Sequence, residues 1–160
     1  MIRLGKLTDY GLLLMSQMAR SPQAQPHTAR ELASKCGLPL PTVSKLLKVL
    51  LQGGLLGSHR GMKGGYKLIR EPQLISLNQI ITALEGKPAL TECSTDITGL
   101  CGLESSCPIR DNQRVISQVV REALEKVMLA DLIRPMQLAA LRDGHGNLVP
   151  LASLITGRMQ

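Results

Sequence analysis

Gly37-Leu38-Pro39-Leu40-Pro41-Thr42-Val43-Ser44-Lys45-Leu46-Leu47-Lys48-Val49-Leu50-Leu51-Gln52-Gly53-Gly54 decides how the N-terminal half folds. Val43, Leu46, Leu47 and Leu50 stand at i, i+3, i+4 and i+7, one face of a helix that the paired glycines close. Pro39 and Pro41 are tolerable at its start, because first-turn N–H groups have no helical partner to lose. The outward face carries Thr42, Ser44, Lys45 and Lys48 with almost no acid nearby. That polarity suits a helix lying in a DNA major groove, although a solvated amphipathic helix has the same pattern.

Before this stretch, Thr28-Ala29-Arg30-Glu31 reads as a capping box that starts a short helix ending at Gly37. Helix, tight turn, helix is the resulting shape. Further upstream, Leu7, Tyr10, Leu14 and Met18 recur at helical spacing and predict a first helix from near Leu7 to Arg20, stopped by Ser21-Pro22. Downstream, Leu55 to Ile69 contains two short apolar segments around a turn rich in glycine and positive charge, the pattern of a β-hairpin. Its tip offers His59, Arg60, Lys63 and Lys67 to a phosphate backbone, and its position directly after a helix-turn-helix is that of a wing. A further helix starts at Ser76, runs through Ile80, Ile81 and Leu84 and closes at Gly86.

Charge divides the chain. Residues 1–70 hold eleven Lys or Arg against two acids, Asp9 and Glu31, whereas residues 71–160 hold eight against ten, so the N-terminal half supplies all of the net +7. A polyanionic partner for that half follows, since phosphate neutralisation drives much of nucleic-acid affinity. The core must be aliphatic, because Tyr10 and Tyr66 are the chain's two aromatic residues. The apolar runs fall well short of the roughly 20 residues that span a bilayer. The expected setting is cytoplasmic, where thiols stay reduced and four cysteines point to metal or redox chemistry.

Three of the four, Cys93, Cys101 and Cys107, share a stretch without clear periodicity, rich in Gly99, Gly102, Ser105, Ser106 and Pro108. Such small-residue spacing lets three thiolates converge on one centre. Thiolates hold iron-sulfur clusters, sometimes with another ligand type. Zinc also accepts three Cys plus one further ligand, but the close pairs usual in structural zinc sites are missing. Thiol redox sensing and inert cysteines stay open as well. Cys36 follows Leu32 and Ala33 on the inner face of the second helix and reads as a small core residue. From about Asp111 to Leu132 an apolar stripe of Val115 or Ile116, Val119, Val120, Ala123, Leu124, Val127 and Leu132 predicts one helix of about six turns, a candidate dimerisation element unless it packs back on its own domain. No grouping of His, Asp and nucleophile and no nucleotide-binding glycine motif argues for an enzyme, which leaves a small cluster-dependent redox protein as the competing catalytic reading.

These segments also match a family pattern in order and spacing. Leu7-Thr8-Asp9-Tyr10, Leu40-Pro41-Thr42-Val43-Ser44-Lys45-Leu46-Leu47, Ser58-His59-Arg60-Gly61-Met62-Lys63-Gly64-Gly65-Tyr66, Ile80-Ile81-Thr82-Ala83-Leu84-Glu85-Gly86 and the three-cysteine loop resemble the Rrf2 family of winged-helix regulators over roughly residues 1–133. Within it, the likeness is closest to the proteobacterial regulators of the SUF iron-sulfur assembly system. The resemblance implies a mainly α fold with a small β-hairpin wing: a winged helix-turn-helix domain (1–88), a cluster-binding loop (89–110), a dimerisation helix (111–134) and a C-terminal tail of no assigned role (135–160). It implies a homodimer that binds a double-stranded operator through Thr42, Ser44, Lys45, Lys48, His59, Arg60, Lys63 and Tyr66. No membrane and no small-molecule substrate are expected. Each subunit is expected to hold a cluster, 2Fe-2S in preference to 4Fe-4S, on Cys93, Cys101 and Cys107. Some relatives place a histidine ligand three residues after the last cysteine; Arg110 stands there and cannot ligate iron. Others take an acidic ligand from the partner's first helix, a position that Asp9 matches. The implied consequence is that loss of the cluster lowers operator affinity and relieves repression of cluster-assembly genes.

Overall fold

The computed structural model describes residues 4–21, 25–59, 61 and 64–134, together with the backbone of 141–142 and 148–149. Arg60, Lys63, the 143–147 turn and most of the C-terminal tail lie outside the described residues. In chain order the helices are α1 (Lys6–Ala19), α2 (Ala29–Cys36), α3 (Leu40–Gln52), α4 (Leu77–Glu85), α5 (Arg110–Lys126) and α6 (Leu129–Leu132). The strands are β1 (Leu56–His59), β2 (Gly65–Leu68), β3 (Leu141–Arg142) and β4 (Leu148–Val149). β1 and β2 form an antiparallel hairpin with Leu56 opposite Leu68 and His59 opposite Gly65; β3 and β4 pair in the same sense. The fold is therefore mainly helical with a hairpin wing. No helix among the described residues is long and apolar enough to cross a membrane.

The α3 stripe does what its spacing dictates: Val43, Leu46, Leu47 and Leu50 are buried, and with Leu14, Met15, Leu32, Ile80 and Leu129 they form one aliphatic core. Burying each such side chain is worth about 1.5–3 kcal/mol, enough for this cluster to organise the N-terminal half without a tryptophan or phenylalanine. α2 begins at Thr28, whose hydroxyl accepts the Glu31 N–H at 3.1 Å, and ends at Gly37 in the left-handed conformation. Only this half of the expected capping box forms. The Glu31 carboxylate turns instead to Lys35 and His27. A reciprocal box starts α4, between Ser76 and Gln79.

Two elements depart from the periodicity. On α1 the buried positions are Thr8, Gly11, Leu14, Met15 and Met18, while Leu7, expected inward, is 41% exposed. The inward face includes small residues because α1 lies against α4: a side-chain carbon at Gly11 would collide with Leu84. The six-turn helix expected after Asp111 ends at Lys126, where Val127 turns extended. There the Leu77 N–H donates to the Val127 carbonyl and the Leu129 N–H to that of Ile75, at 2.7 and 2.8 Å. Two backbone bonds and the full burial of Leu129 outweigh one more helical turn, and the chain returns to the core as α6.

Candidate nucleic-acid interface and cysteine loop

α3 is held by its apolar stripe so that Ser44, Lys45 and Lys48 are exposed and Thr42 is half-buried. α3 contains no acid. β1 follows directly, placing His59 exposed at the hairpin end, opposite Gly65. Tyr66, on β2, is half-buried and packs against the core. Its N–H and carbonyl both pair with the backbone of His27, at 2.8 Å each, so the wing is joined to the chain entering α2. Sequence reading did not single out His27. It is buried, and its Nδ1 lies 3.1 Å from Glu31 Oε1, while Lys35 Nζ reaches the same oxygen at 2.6 Å. Lys35 first, then His27, holds the Glu31 carboxyl down at about 2.

The cysteine loop is attached to α5 at its start and left to turns thereafter. The buried Ser117 hydroxyl accepts the Leu90 N–H, and Ser94 Oγ donates to the Gln113 carbonyl. Cys93 is buried in a short 3-10 turn, with Thr91 Oγ1 3.3 Å from its sulfur. Arg114 donates through Nε to the Cys93 carbonyl at 2.9 Å and through Nη2 to Glu104 at 2.8 Å. The other Glu104 oxygen accepts the Gly99 N–H, also at 2.9 Å. Cys101 and Cys107 are half-buried at the two ends of the 102–106 turns. Hydrogen bonding to Asp111 first, and the Asp111 charge with it, raise Arg110 above the usual guanidinium value.

All four cysteines are free thiols. Among the described residues no three His, Cys, Asp or Glu side chains come together to hold a metal ion, so the expected convergence of the three thiols does not occur in the single chain. The Cys93 carbonyl is tied to Arg114 of α5, while Cys101 and Cys107 flank turns closed by the Glu104 N–H to Cys101 carbonyl and Ser106 N–H to Leu103 carbonyl bonds. The donor set nevertheless suits an iron-sulfur cluster chemically. Three thiols sit on one loop with two guanidinium groups beside it, and only turn bonds separate the last two. Asp9 is exposed in the first turn of α1 and belongs to no three-residue ligand group among the described residues. Cys36 is half-buried against the core, where burial pushes its thiol up and keeps it protonated.

A helix-turn-helix whose second member is basic and acid-free, followed by a glycine-rich wing, defines a winged-helix transcriptional regulator that binds DNA. Residues 4–135 match the Rrf2 family, described as iron-dependent transcriptional regulators, and the chain belongs to that family. A helix-turn-helix-type transcriptional regulator of Synechocystis is 33% identical over 84 residues, a match spanning 52% of this chain and 57% of that relative. The transcriptional repressor NsrR of Streptomyces coelicolor is 27% identical over 133 residues, 82% of this chain and 88% of that one. The solved structure of CymR, the global cysteine regulator of B. subtilis, superposes with a TM-score of 0.66 at 27% identity, covering 86% of this chain and 100% of CymR.

Proposed function

We propose that the chain is a homodimeric repressor of iron-sulfur assembly genes, whose operator affinity depends on an iron-sulfur cluster held by its cysteine loop. The observation that carries the reading is the pairing of a basic helix and wing with a three-thiol loop in one member of an iron-dependent regulator family. Thr42, Ser44, Lys45 and Lys48 would enter the major groove, with Lys45 and Lys48 also neutralising phosphates; His59, Arg60, Lys63 and Tyr66 would serve the wing contact. Val115, Ile116 and Val119 stand exposed on one side of α5 and supply the apolar face for a second copy. Cys93, Cys101 and Cys107 would hold the cluster, with Asp9 of the partner subunit as the fourth donor and 2Fe-2S as the preferred form. When bound, the cluster supplies iron-thiolate bonds that tie the loop into one unit. This chain's contribution is to fasten that loop to α5, beside the apolar face, so that loop closure and the spacing of two α3 helices share one equilibrium.

Protein prepared without oxygen should show iron, sulfide and broad visible absorption, and should retard the promoter DNA of cluster-assembly genes more strongly than its apo form. Equal affinity of the two forms would end the sensing reading. Zinc in place of iron, or binding lost only on thiol oxidation, would favour the second reading, a thiol-switched regulator on the same fold. That reading draws on the three free thiols that do not converge in the single chain.

A further inference from the structure

We infer that Arg114 and Glu104 are the positioning pair of the cysteine loop: they hold its beginning and middle on α5 before any ligand arrives, and they transmit loop closure to the apolar face. The inference rests on the loop being a ligand-binding element, as proposed above, and deepens that reading.

The geometry is a closed ring of contacts. The Arg114 fork donates at once to the Cys93 carbonyl and to Glu104 Oε1, at 2.9 and 2.8 Å. Glu104 Oε2 accepts the Gly99 N–H at 2.9 Å, and the Glu104 carbonyl lies 3.4 Å from Arg110 Nη1. Residues 93, 99, 104, 110 and 114 are thus linked through one carboxylate and two guanidinium groups. Glu104 stands midway between Cys101 and Cys107, and its side chain is only 18% exposed in the pair. The other bonds inside the 99–107 stretch are single turns.

The Arg114–Glu104 pair is therefore the one ion pair between that stretch and a regular element among the described residues. Arg114 is followed by Val115, the first residue of the exposed stripe on α5. A shift of Cys101 and Cys107 toward Cys93 must carry Glu104 with it, and Glu104 pulls on the helix at the turn where that stripe begins. The guanidinium has a second effect. It places a positive charge 2.9 Å from the Cys93 carbonyl, where it would favour the reduced, more negative state of a cluster bound to the loop.

Fork and charge can be separated by substitution. Lys at position 114 keeps the charge but cannot make both bonds, whereas Ala removes both. In the full-length apo protein, Arg114→Lys and Glu104→Gln are expected to raise amide exchange across residues 99–107, and the reaction of Cys101 and Cys107 with a disulfide dye, by roughly fivefold. Exchange in α2 and α3 stays unchanged. The double variant adds little to either single one, because both break the same tie. In anaerobically reconstituted protein, Arg114→Ala lowers the cluster's reduction potential, and Arg114→Lys restores it without restoring loop protection. Unchanged exchange in both single variants, or additive effects in the double one, would overturn the pairing. A potential that does not distinguish Ala from Lys would overturn the electrostatic role. If the wild-type chain takes up no cluster, the proposed sensing fails, while the apo exchange and dye results still decide whether the pair positions the loop.

Discussion

His27 and Tyr66 exchange both backbone hydrogen bonds, at 2.8 Å each way, and so fasten the wing to the segment that enters α2. The approach is close enough that a side-chain carbon at Gly65 would stand 2.6 Å from the His27 carbonyl oxygen. Gly65 also holds a φ of +155°, a conformation that side chains disfavour. Gly65→Ala is therefore expected to cost about 1–3 kcal/mol and to weaken operator binding. The check is a denaturant melt beside a DNA titration. Unchanged stability would mean that the wing shifts freely away from His27.

The same junction carries a pH dependence. Glu31 is held near 2, below its ordinary 4.5, by Lys35 and then His27. A depressed carboxyl stabilises the folded state above the ordinary value and loses that contribution as pH falls from about 4.5 to 2. Glu31 is 38% exposed, so solvent screening limits the effect to about 0.5–1 kcal/mol. Glu31→Gln should be less stable than wild type at pH 6 by that amount and equal to it near pH 2. A gap that persists in acid would assign the loss to something other than ionisation.

What the sequence made legible was whatever repeats along one element. The α3 stripe, the Thr28 and Ser76 starts, the Gly37 stop and the glycine-rich wing are local patterns, and each appears at its expected place. Contacts across the chain left no such trace. Arg114 reaches Cys93 over 21 positions and Ser117 reaches Leu90 over 27, and in the sequence both read as ordinary polar residues of a helix. Leu7 fits the apolar period of α1 and yet faces out, because close packing on α4 selects Gly11 and Thr8 for the inner side, which hydropathy scores as gaps. Val127 likewise continues a helical period that the backbone abandons for bonds to residues 75–77. The three thiols were legible as a set, whereas their failure to group with one another in the folded single chain was not.

Lys45 and Lys48 are exposed on the same side of α3, three positions apart, on a helix without acid. If this face meets DNA phosphates, each replacement by Ala should weaken operator binding and lower the slope of log affinity against log salt by roughly one unit, alike for specific and random DNA. Ser44→Ala should instead spare the slope and reduce discrimination between operator and random sequence. Fluorescence anisotropy at several salt concentrations separates the two. Slopes that stay at the wild-type value in both lysine variants would remove α3 from the interface.

Val119 is 59% exposed, and Val115 and Ile116 beside it are also open to solvent, on a helix whose buried side already rests on the domain. Three β-branched residues stand in water within about one turn, and a second copy crossing α5 would cover them at no polar cost. Val119→Glu places a carboxylate there. In a monomer the change is near neutral, since it exchanges an exposed methyl pair for a solvated charge on a helix surface. In a dimer it buries an unpaired charge at the shared face, which costs about 3 kcal/mol and raises the dissociation constant roughly 100-fold. Sedimentation of the wild type and the variant at micromolar concentration tells these apart. Thermal melts at two protein concentrations supply the control: a dimer melts higher when concentrated, and the variant should lose that dependence while keeping the fold of its N-terminal half. A variant that still sediments as the wild type does would place the contact between copies elsewhere and would free α5 from any part in coupling the cysteine loop to the operator.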